Sequence, residues 1–323
     1  QYYFDVNEKE PKPKLIKKRS KGILYTVNSW NGYFYNHTNE NAEDFKIDIC
    51  NDLSNQNWKT YIAAKDEVLI GGLTFLKSWI LRSEISNALG KIFVKNTDTN
   101  IEEEIKFTDE KVIDPGISLK QKDRKTDYIY LNYSSPKTQT RVYLYNLKTK
   151  EKKLVKEQKI PSGHNPDDYI VERFDCDSHD GRKVPITITR HKKTNIDGNA
   201  NLLLYGYGSY GNSMSPSFSS TKLSLVNRDI IWVTAHIRGG LERGMKWWKE
   251  GKLLNKKNTF KDYLAVAKFL IEKKYTSKGK IIGMGGSAGG LLMGVAVNES
   301  PELFCAVVMA VPFVDSLTTN LDH

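Results

Sequence analysis

The first half of the chain alternates short apolar or aromatic segments with polar turns. No stretch of residues 1–163 has the apolar spacing of a long amphipathic helix. The apolar segments include residues 23–27, 33–35, 45–49, 91–94, 128–131 and 141–145. This pattern predicts antiparallel β-meanders. Strand groups recur near Ile23, Trp79 and Tyr128, about 50 residues apart, which favours the four-stranded blades of a propeller. A two-sheet sandwich is the alternative.

The pattern changes after residues 161–166, a segment with two prolines and a glycine that we interpret as a linker. Residues 169–176 and 184–189 predict two strands that flank an Asp180-Gly181 turn. Residues 202–205 and 230–233 are short and almost wholly apolar, as in the interior strands of a parallel sheet.

A helical period and two further apolar strands complete the second half. Apolar side chains recur at helical spacing over residues 258–275, with Asn258 or Thr259 as the N-cap. A strand at 280–284, a helix at 291–297 and a strand at 305–311 follow. This alternation is typical of an α/β domain. We therefore predict two domains, residues 1–163 as propeller blades and residues 164–323 as part of an α/β domain.

Composition excludes several classes of protein. The 49 basic residues outnumber 38 acidic ones, giving a formal charge of +11, but the lysines are scattered and only residues 12–21 concentrate them. We read this as a solvated surface and expect no nucleic-acid partner. The chain lacks a long apolar run and a secretory leader, so we expect a soluble protein that does not bind membranes. It starts with Gln1 rather than methionine, which suggests a fragment or a processed product.

The cysteines indicate a compartment. Cys50, Cys176 and Cys305 are far apart and lack metal-ligand spacing. This usage favours a reducing environment, and we expect the protein in the cytoplasm.

The sequence Gly285-Gly286-Ser287-Ala288-Gly289-Gly290 carries the strongest chemical signal. It matches the G-x-S-x-G nucleophile elbow, in which a strained strand-to-helix turn exposes the serine hydroxyl. The following helix directs its first amides toward a developing oxyanion. A glycine-rich turn with an inert serine is the other reading.

Five segments occur here in the order seen in one peptidase family. They are residues 205–211, 236–240 and 251–260, the elbow, and residues 311–315. The chain resembles the oligopeptidase B branch of the prolyl oligopeptidase family of serine peptidases. The resemblance implies a β-propeller capping an α/β-hydrolase domain, with the earlier blades and the last part of the hydrolase outside this chain.

The same resemblance assigns roles in the site. Ser287 matches the nucleophile, and the Ala288 backbone N–H matches one oxyanion donor. Tyr207 matches the tyrosine whose hydroxyl is the second donor. The implied substrates are short peptides cut after basic residues, and the implied chemistry uses no metal or cofactor.

The chain departs from the family in its acid–base partners. Hydrolases of this fold order the triad as serine, acid, histidine, and only Asp315, Asp322 and His323 follow Ser287 suitably. Asp315 comes one strand earlier than the family aspartate, and His323 is terminal. We expect the triad aspartate and histidine to be absent from the chain. His236 matches a family segment that we interpret as structural, and His37, His164, His179 and His191 are expected to be solvated.

Substrate recognition also departs from the family. The family's main acidic pair belongs to a segment after the elbow that this chain lacks. Ser215 and Ser217 stand where a second acidic pair is expected, and Leu241 replaces a family glycine. A carboxylate pocket is what selects basic side chains, so the secondary preference for basic residues is in doubt.

Two rival functions stay open. An esterase or lipase of the same fold would use the elbow but leaves the propeller unexplained. A degenerate split-gene fragment without catalysis would act, if at all, as a binding module. Under the split-gene reading, a separate C-terminal fragment is the partner of the chain.

Overall fold

Three four-stranded antiparallel sheets follow one another in the first half of the chain, and each is a meander. The computed structural model describes residues 1–106, 108–119 and 124–321. The sheets are β3 (Tyr25–Trp30), β4 (Tyr33–Thr38), β5 (Lys46–Cys50) and β6 (Lys59–Ile62); β7 (Val68–Leu76), β8 (Trp79–Ser86), β9 (Leu89–Asn96) and β10 (Glu102–Glu104); and β11 (Asp114–Ser118), β12 (Tyr128–Ser134), β13 (Arg141–Asn146) and β14 (Lys152–Glu157). A short pair, β1 (Tyr2–Tyr3) and β2 (Lys14–Leu15), comes before them.

These sheets have the hairpins and packing of propeller blades. Asn31 and Gly32, both with positive φ, form the tight turn between β3 and β4. Ile47 of the first sheet packs with Ile70 of the second, and Leu81 of the second packs with Ile129 of the third. The blade prediction is confirmed and the sandwich alternative is wrong, because each meander closes on its own turns and stacks on the next.

A six-stranded sheet forms the second half. Its strands are β15 (Tyr169–Asp177), β16 (Lys183–His191), β17 (Leu202–Tyr205), β18 (Ile231–Ala235), β19 (Ile281–Gly286) and β20 (Phe304–Ala310). The order is β15-β16-β18-β17-β19-β20, and the last four positions in this order are mutually parallel. In β18, β17 and β19, the three of these strands that lie inside the sheet, apolar residues such as Leu204, Val233 and Ile281 are fully buried, as expected of interior strands.

Five helices accompany this sheet in the described chain. They are α1 (Ser220–Val226), α2 (Gly244–Lys249), α3 (Lys257–Glu272), α4 (Ala288–Glu299) and α5 (Ser316–Leu321). The patterns predicted α3 and α4 but missed the other three, because helices of six or seven residues are too short to show a period. Among the described residues no helix has both the length and the apolar character needed to cross a membrane.

The start of α3 corrects one expectation. The helix begins at Lys257, and neither Asn258 nor Thr259 caps it. Asn258 instead donates to the Glu250 carbonyl at 3.0 Å, and the Thr259 hydroxyl donates to the Arg238 carbonyl at 2.8 Å. Tertiary acceptors have taken the side chains that the pattern assigned to capping.

Loops of the first two blades contact the loop that follows β18. The Asp44 carboxylate accepts from the Met245 N–H at 2.6 Å and so caps α2 from the propeller side. Arg243 donates to the Asn87 side-chain oxygen at 3.0 Å and to Glu67 at 3.1 Å. The Ala88 N–H donates to the Glu242 carbonyl at 2.8 Å. The blades are thus joined by hydrogen bonds to residues 242–245, between β18 and the start of α2.

Candidate active site

Ser287 lies at the turn from β19 into α4 and has an unusual backbone. Its φ is 54° and its ψ is −117°, its side chain is exposed, and Ala288, Gly289 and Gly290 after it are buried. Backbone of this kind is strained for a residue with a side chain and is concentrated at functional sites. A Cβ on Gly285 would lie 2.3 Å from the Gly289 carbonyl oxygen, so only glycine fits there.

The segment after β20 holds the turn from the other side. The Ser287 N–H donates to the Ala310 carbonyl at 2.9 Å, and the Phe313 N–H donates to the Ser287 carbonyl at 3.0 Å. A Cβ on Gly290 would lie 2.5 Å from the Cβ of Pro312, which explains the additional glycine after the motif. Both backbone groups of Ser287 are therefore fixed while its hydroxyl stays free to the solvent.

Ala288 is the first residue of α4. An amide in this position has no acceptor within its own helix and lies at the positive end of the helix dipole. Its N–H is therefore available beside Ser287, which is what an oxyanion donor requires. The role of Ala288 stays a prediction.

Tyr207 comes two residues after β17, in the loop that crosses in front of α4. It is half-buried, and a Cβ on Gly289 would lie 3.4 Å from its Cδ2 atom and 3.5 Å from its Cα atom. The structure thus brings Tyr207 against the first turn of the helix that begins directly after Ser287. Its role as the second donor also stays a prediction.

A buried ion-pair network supports this region, and no pattern in the sequence predicts it. Arg238 is 1% exposed and donates to the fully buried Asp262 at 2.6 and 2.9 Å. It also donates to Asp180 at 2.6 Å, and the Ser178 hydroxyl donates to Asp262 at 2.5 Å. The network ties the β15–β16 hairpin, the loop after β18 and α3 together. Breaking one partner of such a network is costly, because it leaves a buried charge unpaired.

The described histidines are engaged away from Ser287. His236 is fully buried, and its Nε2 lies 2.8 Å from the Thr187 hydroxyl of β16, a strand separated from β19 by β18 and β17. Burial holds its pKa well below the usual range, so the ring is neutral. This fits the structural interpretation of His236.

Two of the other histidines correct an expectation. His37 is half-buried, with Nε2 2.7 Å from the Ile70 carbonyl, and His164 is half-buried, with Nε2 2.7 Å from the Lys137 carbonyl. They are packing residues rather than solvated ones, because each stacks on an aromatic ring as well, Phe45 or Tyr169.

The acidic candidates after the elbow are not brought to the serine. Asp315 is exposed and accepts from the Thr318 N–H at 3.0 Å, at the start of α5. Asp322 and His323 lie outside the described residues. Within the described ranges no histidine is hydrogen-bonded to the Ser287 hydroxyl. Nor does that part of the chain contain a cluster of three or more metal-ligating side chains.

Glu242 is another buried charged residue that the sequence pattern did not predict. Its carboxylate is 1% exposed, one oxygen accepts from the Met214 N–H at 2.9 Å, and the other has no partner. Burial raises the pKa of this carboxyl to about 7. Glu242 thereby holds the far end of the loop that carries Tyr207.

We expect Glu242→Gln to stabilise the protein at alkaline pH. A carboxyl with a raised pKa in the folded state favours folding below its unfolded pKa, and that contribution is lost as pH rises through about 7. Glutamine keeps the acceptor for Met214 without ionising, so its advantage above pH 7 is at most about 3 kcal/mol. Melting temperatures at pH 5 and pH 8 measure the difference.

The exposed Glu302 provides the matched control, Glu302→Gln, which should leave the melting temperature unchanged at both pH values. A Glu242→Gln variant that is no more stable than the parent at pH 8 contradicts the buried, ionisable carboxyl.

The site and the fold together define a class of protein. A serine at a strained turn between a parallel strand and a helix, in a sheet that follows β-propeller blades, marks a propeller-linked α/β-hydrolase. A model described as the N-terminal β-propeller domain of prolyl oligopeptidase matches residues 1–158, and one described as the prolyl oligopeptidase family matches residues 216–323. The chain belongs to the prolyl oligopeptidase family, whose members are serine peptidases.

Individual relatives agree with this assignment. The chain is 36% identical to a dipeptidyl aminopeptidase BI of Pseudoxanthomonas mexicana, over 95% of this chain and 43% of the relative. It is 36% identical to a protease 2 of Moraxella lacunata, over 95% of this chain and 44% of the relative. A structure of oligopeptidase B from Trypanosoma brucei with covalently bound antipain is 31% identical, with a TM-score of 0.89 over 98% of this chain and 46% of that one. The chain thus spans less than half the length of these proteins.

Proposed function

We propose that the protein is a serine peptidase of the oligopeptidase B type. It hydrolyses short peptides after basic residues through an acyl-enzyme on Ser287. The observation that carries the proposal is the exposed Ser287 at its strained turn, with Tyr207 against the first turn of the same helix. Similarity to oligopeptidase B over almost the whole chain supports it.

The residues take the following roles in this proposal. The Ser287 hydroxyl oxygen attacks the scissile carbonyl carbon while its proton passes to a histidine, and the oxyanion is stabilised by the Ala288 N–H and the Tyr207 hydroxyl. Collapse releases the amine, which takes the proton, and water then hydrolyses the ester. This chemistry needs no metal or cofactor. The propeller would exclude folded proteins, so short peptides are the partners.

The triad aspartate and histidine are proposed to come from a segment other than these 323 residues. The exposed side chains of β20 support this, since parallel strands are normally covered on both faces. The chain alone is then inactive. The completed enzyme, as we call it, is the full-length protein or this chain with a separate C-terminal fragment that supplies the two residues.

The proposal also includes the binding partners and the cellular compartment of the protein. No nucleic-acid or membrane partner is included, and within the basic run Lys14 and Lys17 already pair with Glu8 and Glu40. Cys50, Cys176 and Cys305 are unpaired, which suits a cytoplasmic protein.

We expect the completed enzyme to prefer arginine or lysine directly before the cleaved bond. Its kcat/KM for an arginyl amide should exceed that for the matching alanyl or prolyl amide by about 10- to 100-fold, the value of a charge-assisted pocket contact. A second arginine one position earlier should change the rate little, because Ser215 and Ser217 carry no charge. Fluorogenic peptide amides, with blocked and free N-termini, measure both preferences.

A gain-of-function control follows from the two serines. Ser215→Asp with Ser217→Asp should introduce the preference for the second arginine.

Faster cleavage of the prolyl amide contradicts the basic preference, and cleavage of free-N-terminal dipeptidyl amides alone indicates an aminopeptidase. Cleavage of esters without amides favours the esterase reading, and no turnover with any substrate favours the degenerate fragment.

A further inference from the structure

Lys256 places an ammonium group against the residues that follow Tyr207. Its Nζ donates to the Gly208 carbonyl at 2.5 Å and to the Ser209 hydroxyl at 2.7 Å. Lys256 lies immediately before α3, the helix whose Thr259 also anchors the Arg238 carbonyl. Within the described residues it forms no ion pair with a carboxylate. Both hydrogen-bond acceptors of this ammonium group are therefore neutral groups of a single loop, and among the described residues Nζ also faces the Phe260 ring, 5.9 Å from the ring centroid.

A lysine in this position is costly to the fold. Burying an ammonium group without an anion disfavours its charged form, and burial lowers the pKa of Lys256 to about 8. The two hydrogen bonds are charge-assisted and hence stronger than neutral ones. Their acceptors are the Gly208 backbone carbonyl and the Ser209 side chain, one and two residues after Tyr207.

The loop needs an external support. Gly208, Tyr210 and Gly211 all have left-handed backbone, with φ of 65°, 58° and 69°, and the loop has no helix or strand to fix it. Before Tyr207, the Gly206 N–H donates to the Met284 carbonyl of β19 at 3.1 Å. After Tyr207, and apart from Lys256, the loop is held further along, where the Gly211 N–H donates to the Gly239 carbonyl at 2.9 Å and the Met214 N–H donates to Glu242 at 2.9 Å. Among these anchors of the described chain, Lys256 is the nearest one on the C-terminal side of Tyr207. A catalytic donor that moves by about 1 Å loses much of its effect.

We propose that Lys256 is a positioning residue for Tyr207, fixing the Gly208-Ser209 turn so that the tyrosine hydroxyl reaches the oxyanion. This inference rests on the proposed function, in which Tyr207 is an oxyanion donor. It adds a residue outside the elbow and the triad to the machinery of the site. Lys256 touches neither the substrate nor Ser287 and acts through the loop.

A double-mutant cycle in the completed enzyme tests the proposal. Tyr207→Phe should lower kcat by about 10²- to 10³-fold, the usual loss for one oxyanion donor. Lys256→Met should lower kcat by about 10- to 100-fold with little change in KM, because the loss is confined to the transition state. The double variant should be no slower than Tyr207→Phe alone. Losses that multiply, or a change in KM alone, overturn the proposal.

Lys257→Met is the matched control, since Lys257 is the neighbouring residue and is exposed. It should leave kcat and KM unchanged. Ser209→Ala removes only one of the two acceptors and should give a smaller loss of kcat, about 2- to 5-fold, again absent on the Tyr207→Phe background. This milder variant keeps the test valid if Lys256→Met does not fold.

Amide hydrogen exchange separates this inference from the proposed function. Lys256→Met should speed exchange at the amides of residues 208–211 while the interior of α3 stays protected. If the parent protein shows no Ser287-dependent hydrolysis, the proposed function fails, and the exchange result still reports whether Lys256 holds the loop. Unchanged protection at residues 208–211 overturns the role of Lys256 whatever the activity.

Discussion

Ser287→Ala should abolish both fluorophosphonate labelling and peptide hydrolysis by the completed enzyme, with kcat falling by about 10⁴- to 10⁶-fold. Ser287 combines an exposed hydroxyl with a backbone held at φ 54° by hydrogen bonds on both sides. A fluorophosphonate reacts only with a serine activated by a base and an oxyanion hole. Labelling followed by peptide mapping, with steady-state kinetics on an arginyl amide, measures both losses.

Ser220 offers the control for this prediction. Like Ser287, it is an exposed serine at a helix N-terminus; it is the first residue of α1, and that helix follows an ordinary extended Ser219 rather than a strained elbow. Ser220→Ala should therefore keep full labelling and activity. Persistent labelling of the Ser287→Ala protein would move the nucleophile to another residue.

Elements set by local patterns were predictable from the sequence. The almost wholly apolar residues 202–205 form β17 with the predicted bounds, and the Asp180-Gly181 turn joins β15 to β16. The elbow followed from its glycines, because close approach of backbone to backbone at Gly285 excludes any other residue. In each case the cause lies within a few residues of the effect.

The supports of the site were not predictable in the same way. Arg238 meets Asp180, 58 residues earlier in the chain, and Lys256 reaches Gly208, 48 residues earlier. Such partners are chosen by the tertiary fold, and a charged residue in a polar segment gives no sign that it will be buried. Tertiary acceptors also explain why Asn258 and Thr259 do not cap α3. Their side chains donate to the Glu250 and Arg238 carbonyls instead.

The exposed edge of the six-stranded sheet is the basis for predicting that the chain alone self-associates. β20 is a parallel strand at the end of the sheet, and its apolar residues Val308 and Met309 are both 43% exposed. Val311 and Leu317 after it are 84% and 74% exposed. An uncovered apolar edge of this kind pairs with other chains.

We expect the 323-residue chain alone to self-associate and to have negligible turnover on an arginyl-arginyl amide. A co-expressed C-terminal segment of the family type should restore a discrete complex and raise turnover by about 10⁴-fold or more, the usual effect of supplying triad members. Size-exclusion chromatography with light scattering and amide hydrolysis measure the two properties.

The matched control is the same segment with its catalytic histidine replaced by alanine, which should restore the complex without the activity. A monomeric 323-residue chain that cleaves the amide and loses this activity with Ser287→Ala contradicts the prediction. The base would then have to come from Asp315, Asp322, His236 or His323.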